Sequence, residues 1–325
     1  MFRVSGSQLV SIIIPTFGRP SQLDRAVSSV LKQTYKNIEI IIVDDNKIGD
    51  DNSLKSFSVI KRFLNDYDFI RYVKTFGKVG GGEARNIGIS ASKGNFITFL
   101  DDDDSYLPDK IEKQLNAYNN SNLKSLAIVY CRMSMYKEGT KTLLAITNRL
   151  FRGTYRPLKE NVYGCIAGTP SLFIKADVFN SSLKFRDVSS GQDWVLIYDI
   201  LREGYSIDYI DDSLVNVYVQ DSGRISTGLN KINSLKGEIL RLKKEMIHSL
   251  DMHEFENAIL ASHYYQIASA LKFNKKIESL GWMYKSARLE MNARLLIKYI
   301  SGVFLGYRLS IFLKSLRNRF FQRGV

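Results

Sequence analysis

The sequence is poor in cysteine, in histidine and in long apolar runs. It holds 2 cysteines and 3 histidines in 325 residues. Cys131 and Cys165 alone build neither a disulfide framework nor a thiolate metal cluster, and read as small buried residues of a reducing compartment. The charge-free stretch from Asn257 to Leu271 carries Asn257, His263, Gln266 and two serines. It is too polar, and shorter than the ~18 apolar residues a membrane-spanning helix needs. The chain start lacks a basic segment followed by a long apolar core, so no signal peptide is read and a cytoplasmic protein is expected. Asn119-Asn120-Ser121 and Asn180-Ser181-Ser182 are then chance matches to the glycosylation pattern.

What is present is ordinary for a globular protein: 45% hydrophobic and 24% charged residues. That balance excludes wholesale disorder and collagen. The formal net charge is +13, and it is unevenly placed. From Lys231 onward 17 Lys/Arg face 7 Asp/Glu, and from Met291 onward 7 basic residues face no acid. There the bases interleave with Leu295, Leu296, Ile300, Phe304, Leu309, Phe312, Leu316 and Phe320. Three readings apply: an amphipathic helix on an anionic membrane surface, a packed helix with a solvated basic face, or nucleic-acid binding. The first is favoured, and no nucleic-acid motif supports the third.

Short β-branched runs alternate with helical patterns over the first 120 residues. Val10–Ile14 reads as a strand ended by Pro15. Ser21, with Asp24 three residues on, reads as a helix cap. Leu23, Ala26, Val27, Val30 and Leu31 then share one helix face. Ile38–Val43 is apolar enough for a strand covered on both sides. A helix over Leu54–Asn65, a strand over Phe69–Val73, a helix over Glu83–Ser92 and a strand over Asn95–Leu100 follow. Pro108 can open the next helix, with Ile111, Leu115 and Tyr118 on one face. The order β-α-β-α-β-α-β-α predicts an α/β, doubly wound sheet, whose ligands bind beyond the carboxyl ends of the strands.

Those ends carry the chemistry. After the first strand comes Pro15-Thr16-Phe17-Gly18-Arg19, and after the second Asp44-Asp45-Asn46. Gly80-Gly81-Gly82 and Ala84-Arg85-Asn86 lie at the third helix, and Asp101-Asp102-Asp103-Asp104 follow the fourth strand. Four adjacent acids raise one another's pKa unless a cation offsets them. A hard divalent ion such as Mg²⁺ or Mn²⁺, shared with substrate phosphates, is one such partner. An acidic turn capping the Pro108 helix is the alternative. Position after a buried strand favours the first. Neither a G-x-G-x-x-G nor a G-x-x-x-x-G-K-[ST] pattern occurs, which argues against dinucleotide-enzyme and P-loop readings. The glycine run reads equally well as a tight turn, and Asp45 as a turn residue or a ligand of a base or ribose.

Ser11-Ile12-Ile13-Ile14-Pro15-Thr16-Phe17, Ile41-Ile42-Val43-Asp44-Asp45, Ala84-Arg85-Asn86-Ile87-Gly88 and Phe99-Leu100-Asp101-Asp102-Asp103-Asp104 with Leu107-Pro108-Asp109-Lys110 together resemble glycosyltransferase family 2, over about residues 9–225. The resemblance implies a GT-A-type doubly wound mixed sheet and transfer of a sugar from a nucleotide-sugar donor. It implies that Pro15, Thr16 and Phe17 hold the nucleobase, that Asp45 bonds the uracil imide, and that Arg85 holds base or phosphate. Asp101 and Asp102 would lie near ribose and sugar. Asp103 matches the metal-binding last acid of the family's D-x-D, with Mg²⁺ or Mn²⁺ as cofactor. On the acceptor side Gly168-Thr169-Pro170-Ser171 resembles the pocket-lining strand. Ser190-Gly191-Gln192-Asp193-Trp194 resembles the family's Glu-Asp motif, with Asp193 as general base of an inverting displacement. Thr169, Ser171, Gln192 and Trp194 are weaker acceptor candidates, and Trp194 reads equally well as a core residue.

The sequence departs from the family in three places. Gln192 replaces Glu, Gly18 replaces a common Asn, and Gln220-Asp221-Ser222 stands where some relatives place a metal-binding histidine.

The expected division is a catalytic domain over 1–228, with a nucleotide-sugar half 1–120 and an acceptor half 121–228, then an all-helical basic region over 229–325. Glu254–Asn292 reads as a helical hairpin, with Ile259, His263, Ile267 and Ala270 on one face and Leu280, Met283, Tyr284 and Ala287 on the other. It can pack on the catalytic domain, pair with another subunit, or lead the basic tail to a bilayer. The expected function is extension of a surface polysaccharide or O-antigen repeat from a UDP-type donor onto a glycan or lipid-linked glycan, peripheral to the inner face of the cell membrane. A non-catalytic nucleotide-sugar-binding scaffold and a nucleotidyltransferase are the rivals.

Overall fold

The computed structural model describes residues 8–180, 182–220, 229–271 and 275–290. The basic tail from Met291 onward and Asp221-Ser222 lie outside the described residues.

Strands β1 (Val10–Thr16), β2 (Ile38–Asp44), β3 (Ile70–Lys74) and β4 (Phe96–Phe99) alternate with helices α1 (Pro20–Leu31), α2 (Asp51–Asp66) and α3 (Gly81–Ala91). A two-residue strand β5 (Ser105–Tyr106) and helix α4 (Lys110–Asn120) follow. β2 buries all of its residues, as a strand covered on both faces must. Because successive side chains point to opposite faces, Ile12, Ile14, Ile40 and Ile42 pack with Leu23, Val27 and Val30 of α1. Ile13, Ile41 and Val43 pack with Ala84 of α3 on the other side.

The acceptor half adds β6 (Leu126–Lys137), β7 (Leu143–Ile146), α5 (Tyr155–Tyr163), β8 (Leu172–Lys175), α6 (Gln192–Arg202) and β9 (Ser206–Val219). Among the described residues the strands form one mixed sheet in the order β3-β2-β1-β4-β8-β6-β9-β5, with β7 beside β6. β1 pairs in parallel with β2 and β4, so the segments after these three strands meet along one sheet edge. β8 runs antiparallel to β4.

Several local expectations are corrected. Ser21 does not cap α1: the helix begins at Pro20, whose fixed φ suits a first turn, and Ser21 Oγ bonds only Gln22. Asp24 pairs with Arg62 of α2 instead. Pro108 stands in the turn before α4, which starts at Lys110.

The C-terminal helices are α7 (Leu229–Lys236), α8 (Glu238–Ser249), α9 (Glu256–Leu271) and α10 (Lys276–Leu289). Ile239, Leu242, Met246, Ile259 and Ile267 belong to the same apolar cluster as Trp194, Ile197 and Ile13. Lys243 is buried there and donates to the carbonyls of Val162 and Tyr163 at 2.7 and 3.0 Å, satisfying the last turn of α5. Burial pushes its pKa down to about 7. The hairpin of α9 and α10 forms, but its second face differs from the expected one. Ser279, Met283 and Ser286 face α9, the serines donating to Ala268 O and Ala261 O at 2.7 Å, while Leu280 and Tyr284 are exposed. Small hydroxyl side chains let the two helices approach where the larger residues would hold them apart.

Candidate active site

Asp101–Asp104 form a turn closed by Asp104 N–H on Asp101 O at 3.0 Å, and each acid has a different environment. Asp102 is fully buried. Its Oδ2 accepts from Thr16 Oγ1 at 2.7 Å and from Phe17 N at 3.2 Å, locking the end of β1 to the end of β4. Burial pushes its carboxyl up to about 7, against the pull of Arg19 and the Thr16 hydroxyl. Asp103 pairs with Arg19 through Oδ2, while its carbonyl accepts from Arg25 Nη2 at 2.6 Å. Arg19 Nη2 also lies 2.6 Å from Asp102 Oδ1. Asp104 accepts from Tyr218 N at 3.1 Å, tying the turn to β9. Asp101 is the most open of the four and pairs with Arg85 at 2.5 Å.

Thr16 is buried, Pro15 half-buried, and the Phe17 ring is exposed at the mouth. Asp45 Oδ1 accepts from Thr75 Oγ1 at 2.7 Å and Val79 N at 2.9 Å, and Oδ2 from Gly80 N at 2.9 Å. It therefore clamps the loop before α3, and one lone pair of Oδ2 remains for a further donor. Gly80 has φ +91, and a side chain at Gly82 would meet Gln192 Cδ at 3.2 Å. The glycine run thus serves both a left-handed turn and the close approach of α3 to α6. Asn86 binds the backbone of Phe185 both ways, at 2.9 and 3.0 Å. Gly88 sits directly on Ile13: an added Cβ would lie 2.4 Å from its Cγ2.

Arg85 joins the two halves. Its guanidinium donates to Asp101 Oδ1 at 2.5 Å and to Gln192 Oε1 at 2.9 Å, and lies 5.5 Å from the Phe185 ring centroid. Asp193 is the next residue, in the first turn of α6. Its Oδ1 accepts from Trp194 N at 2.9 Å. Burial raises the Asp193 pKa; the amides of Trp194 and Thr169 and the charge of Arg85 pull it back, and Asp101 adds to the rise. Asp193, Arg85 and Asp101 thus share one electrostatic neighbourhood.

The remaining acceptor-side candidates separate. Thr169 reaches Asp193 through its backbone amide. Ser171 is fully buried, its hydroxyl turned to Gly168 O at 2.7 Å, so it offers nothing to a ligand. Trp194 is a core residue: its indole N–H donates to Asn161 O at 2.6 Å, and burial of the whole ring leaves no face for a sugar. Motif matching gave no reason to single out Arg19. The only signal was a cation on the strand end facing four acids.

The site offers a divalent ion two neighbouring carboxylates rather than a closed shell. Among the described residues no group of three or more His, Cys, Asp or Glu could enclose a metal. Asp102 and Asp103 nevertheless converge on one cation, the Arg19 guanidinium. Hard carboxylate oxygens of that number suit Mg²⁺ or Mn²⁺ only when substrate phosphates complete the shell.

A model described as glycosyl transferase family 2 matches residues 11–178. An uncharacterised glycosyltransferase of Rickettsia prowazekii is 30% identical over 88% of this chain and 90% of its own length. A Campylobacter jejuni protein named GalNAc(5)-diNAcBac-PP-undecaprenol beta-1,3-glucosyltransferase is 26% identical over 90% of this chain and 93% of its own. Among solved structures, Staphylococcus aureus TarS 1–349 in complex with UDP-GlcNAc superposes with a TM-score of 0.63 at 15% identity, covering 97% of this chain and 92% of that one. The mannosyltransferase PcManGT of Pyrobaculum calidifontis, in complex with GDP-Man and Mn²⁺, superposes with a TM-score of 0.55 at 14% identity, covering 94% and 86%. The fold is that of GT-A glycosyltransferases, and by the family match and the Rickettsia relative the chain belongs to glycosyltransferase family 2.

Proposed function

We propose that this glycosyltransferase inverts the anomeric configuration as it moves a sugar from a nucleoside diphosphate, of the uridine type, to a glycan or lipid-linked glycan acceptor of surface polysaccharide synthesis. The observation that carries the reading is Arg85, which binds Asp101 on the donor rim and Gln192 beside Asp193 on the acceptor rim. Asp193 takes the proton of the acceptor hydroxyl as that oxygen attacks the anomeric carbon. The bond from that carbon to the diphosphate oxygen breaks on the opposite side, and its electron pair leaves with the nucleoside diphosphate. A base in this position contributes ~10²–10⁴-fold, and the raised pKa of Asp193 makes it a stronger base than a surface carboxylate.

On the donor side the Phe17 ring, Pro15 and the Thr16 backbone pack on the base, and the open lone pair of Asp45 bonds it. Arg85 and Asp101 orient sugar and phosphate, with Asp102 holding their loops in place. Asp103 and the donor phosphates would hold Mg²⁺ or Mn²⁺, which when bound supplies positive charge for the departing diphosphate. The UDP-GlcNAc bound by TarS, the GDP-Man and Mn²⁺ bound by PcManGT and the lipid-linked acceptor in the Campylobacter enzyme's name support this assignment.

In this reading residues 1–228 carry the chemistry. Residues 229–325 support the acceptor half and bring the enzyme to an anionic membrane surface through their basic end. No described helix is long and apolar enough to cross a membrane, and Ile277, Leu280 and Tyr284 are exposed on α10, just before the basic segment.

Donor turnover with a panel of nucleotide sugars tests the reading. Asp193→Asn and Asp103→Asn are each expected to cut transfer by ~10²-fold or more, and undiminished transfer in both refutes the site. Release of pyrophosphate instead of a nucleoside diphosphate would make the protein a nucleotidyltransferase. Nucleotide-sugar binding without turnover would make it a scaffold.

A further inference from the structure

Asp102 and Asp103 lie at a buried strand end, where a carboxylate is charged only at a cost unless a cation meets it. Both point at one guanidinium. Arg19 pairs with Asp103 through Nη1 and lies 2.6 Å from Asp102 through Nη2. Its own Nε is buried and makes no hydrogen bond, so the guanidinium is held through Nη1 and Nη2, in the negative field of all four acids. Asp103 Oδ2, the oxygen that Arg19 engages, belongs to the carboxylate assigned above to the divalent ion. A guanidinium and a metal ion cannot both sit against that oxygen without strong repulsion, since two cations at contact distance oppose each other in a partly dry site.

We propose that Arg19 is an internal counterion that holds the cation position of the ligand-free enzyme and hands it over when donor and metal arrive together. The inference rests on the functional reading above. Charge balance sets the order. A metal arriving alone must displace Arg19 and leave it beside a second cation with no anion to receive it. A metal arriving with a nucleoside diphosphate brings that anion, and Arg19, on the half-exposed segment between β1 and α1, turns from Asp103 to the phosphates. Bidentate guanidinium-phosphate contact is as good a partner as the carboxylate it leaves. The enzyme thereby ignores free divalent ions and takes them only in the company of substrate.

The test counts free Mn²⁺ by electron paramagnetic resonance while the full-length chain is titrated in, at fixed pH, with and without UDP. Wild type is expected to hold Mn²⁺ weakly alone and at least ~10-fold more tightly with UDP. Arg19→Gln is expected to bind Mn²⁺ alone on the order of 10-fold more tightly than wild type, and UDP in the presence of Mn²⁺ several-fold more weakly. These changes have opposite signs, which a merely destabilised loop does not produce. Arg19→Lys, whose compact ammonium engages one carboxylate at a time, is expected between the two and carries the test if the glutamine variant does not fold. Unchanged or weaker binding of Mn²⁺ alone in a folded variant, with wild type still binding Mn²⁺ with UDP, overturns the counterion role and leaves the site intact. Failure of every protein to retain Mn²⁺ even with UDP overturns the cation site itself, and this inference with it.

Discussion

Replacing Arg85 by Met probes the joint between the two halves of the cleft while keeping most of the buried stem volume. The Arg85 side chain is 10% exposed and its Asp101 partner 31%, so the ion pair is partly shielded. Two charge-assisted hydrogen bonds are lost, at 2.5 and 2.9 Å. Each such bond is worth ~1.5–3 kcal/mol when buried. Partial hydration of Asp101 brings the joint loss of transition-state stabilisation to ~3 kcal/mol, or ~10²-fold in kcat/KM. Stability should change far less, because Asp101 regains water and the unpartnered Arg85 Nε is removed with the side chain. A second consequence separates this account from simple misplacement. Burial raises the Asp193 pKa and Arg85 pulls it back. Without Arg85 the base protonates at higher pH, so the acid limb of the kcat/KM profile moves upward. The assay is nucleoside-diphosphate release across pH 5–9, with thermal unfolding as the control. An acid limb that stays in place, with activity within a few-fold of wild type, would refute the coupling of Arg85 to Asp193.

Gly88→Ala drives a methyl group into Ile13, with contacts of 2.4, 3.2 and 3.3 Å to its side chain. It should cost ~1–3 kcal/mol, and an unchanged urea midpoint would show that α3 can shift off β1. His263 is buried, with Nε2 2.8 Å from Leu235 O and Nδ1 unpartnered, and burial pushes its pKa down to about 4 from 6.5. Since its folded pKa is depressed, its contribution is complete above ~6.5 and is lost as pH falls toward ~4, a difference of ~3 kcal/mol. His263→Gln should therefore lose much less stability between pH 7 and 4.5 than wild type, read from urea midpoints, and parallel losses would discount this residue. Lys243→Ala leaves the carbonyls of Val162 and Tyr163 without their donor. It should loosen α8 from α5 and raise hydrogen exchange in both helices; exchange unchanged in α5 would show that the contact is dispensable. Truncation after Asn292 should release the protein from anionic vesicles in a flotation assay, and retention would exclude the basic segment as the anchor.

The β-α alternation was legible because its signals are local. The apolar runs of β1 and β2 and the helical spacing of Leu23, Ala26, Val27 and Val30 are buried as their patterns require. The positions of the motif residues followed, since a parallel sheet sends all its strand ends to one edge. What each motif residue does there was less legible. Asp45 and Asp102 read as ligand-facing acids, yet each spends most of its hydrogen-bonding capacity on loops distant in sequence, Thr75–Gly80 for one and Thr16–Phe17 for the other. Ser21 and Asp24 matched a cap pattern, but Pro20 set the helix start and Arg62 took Asp24. Leu280 and Tyr284 satisfied a helical stripe, but serine hydroxyls made the contact.

The sequence by itself determined the β-α alternation of the first 120 residues, the family, and the edge on which acids, glycines and arginines collect, because periodicity and strand direction are properties of short segments. Only the tertiary structure decided the partners: Arg85 with both Asp101 and Gln192, Arg19 with both Asp102 and Asp103, Trp194 with Asn161. Such pairings depend on long-range packing of the sheet against α3, α5 and α6. No spacing along the chain encodes which of several nearby charges a guanidinium will meet.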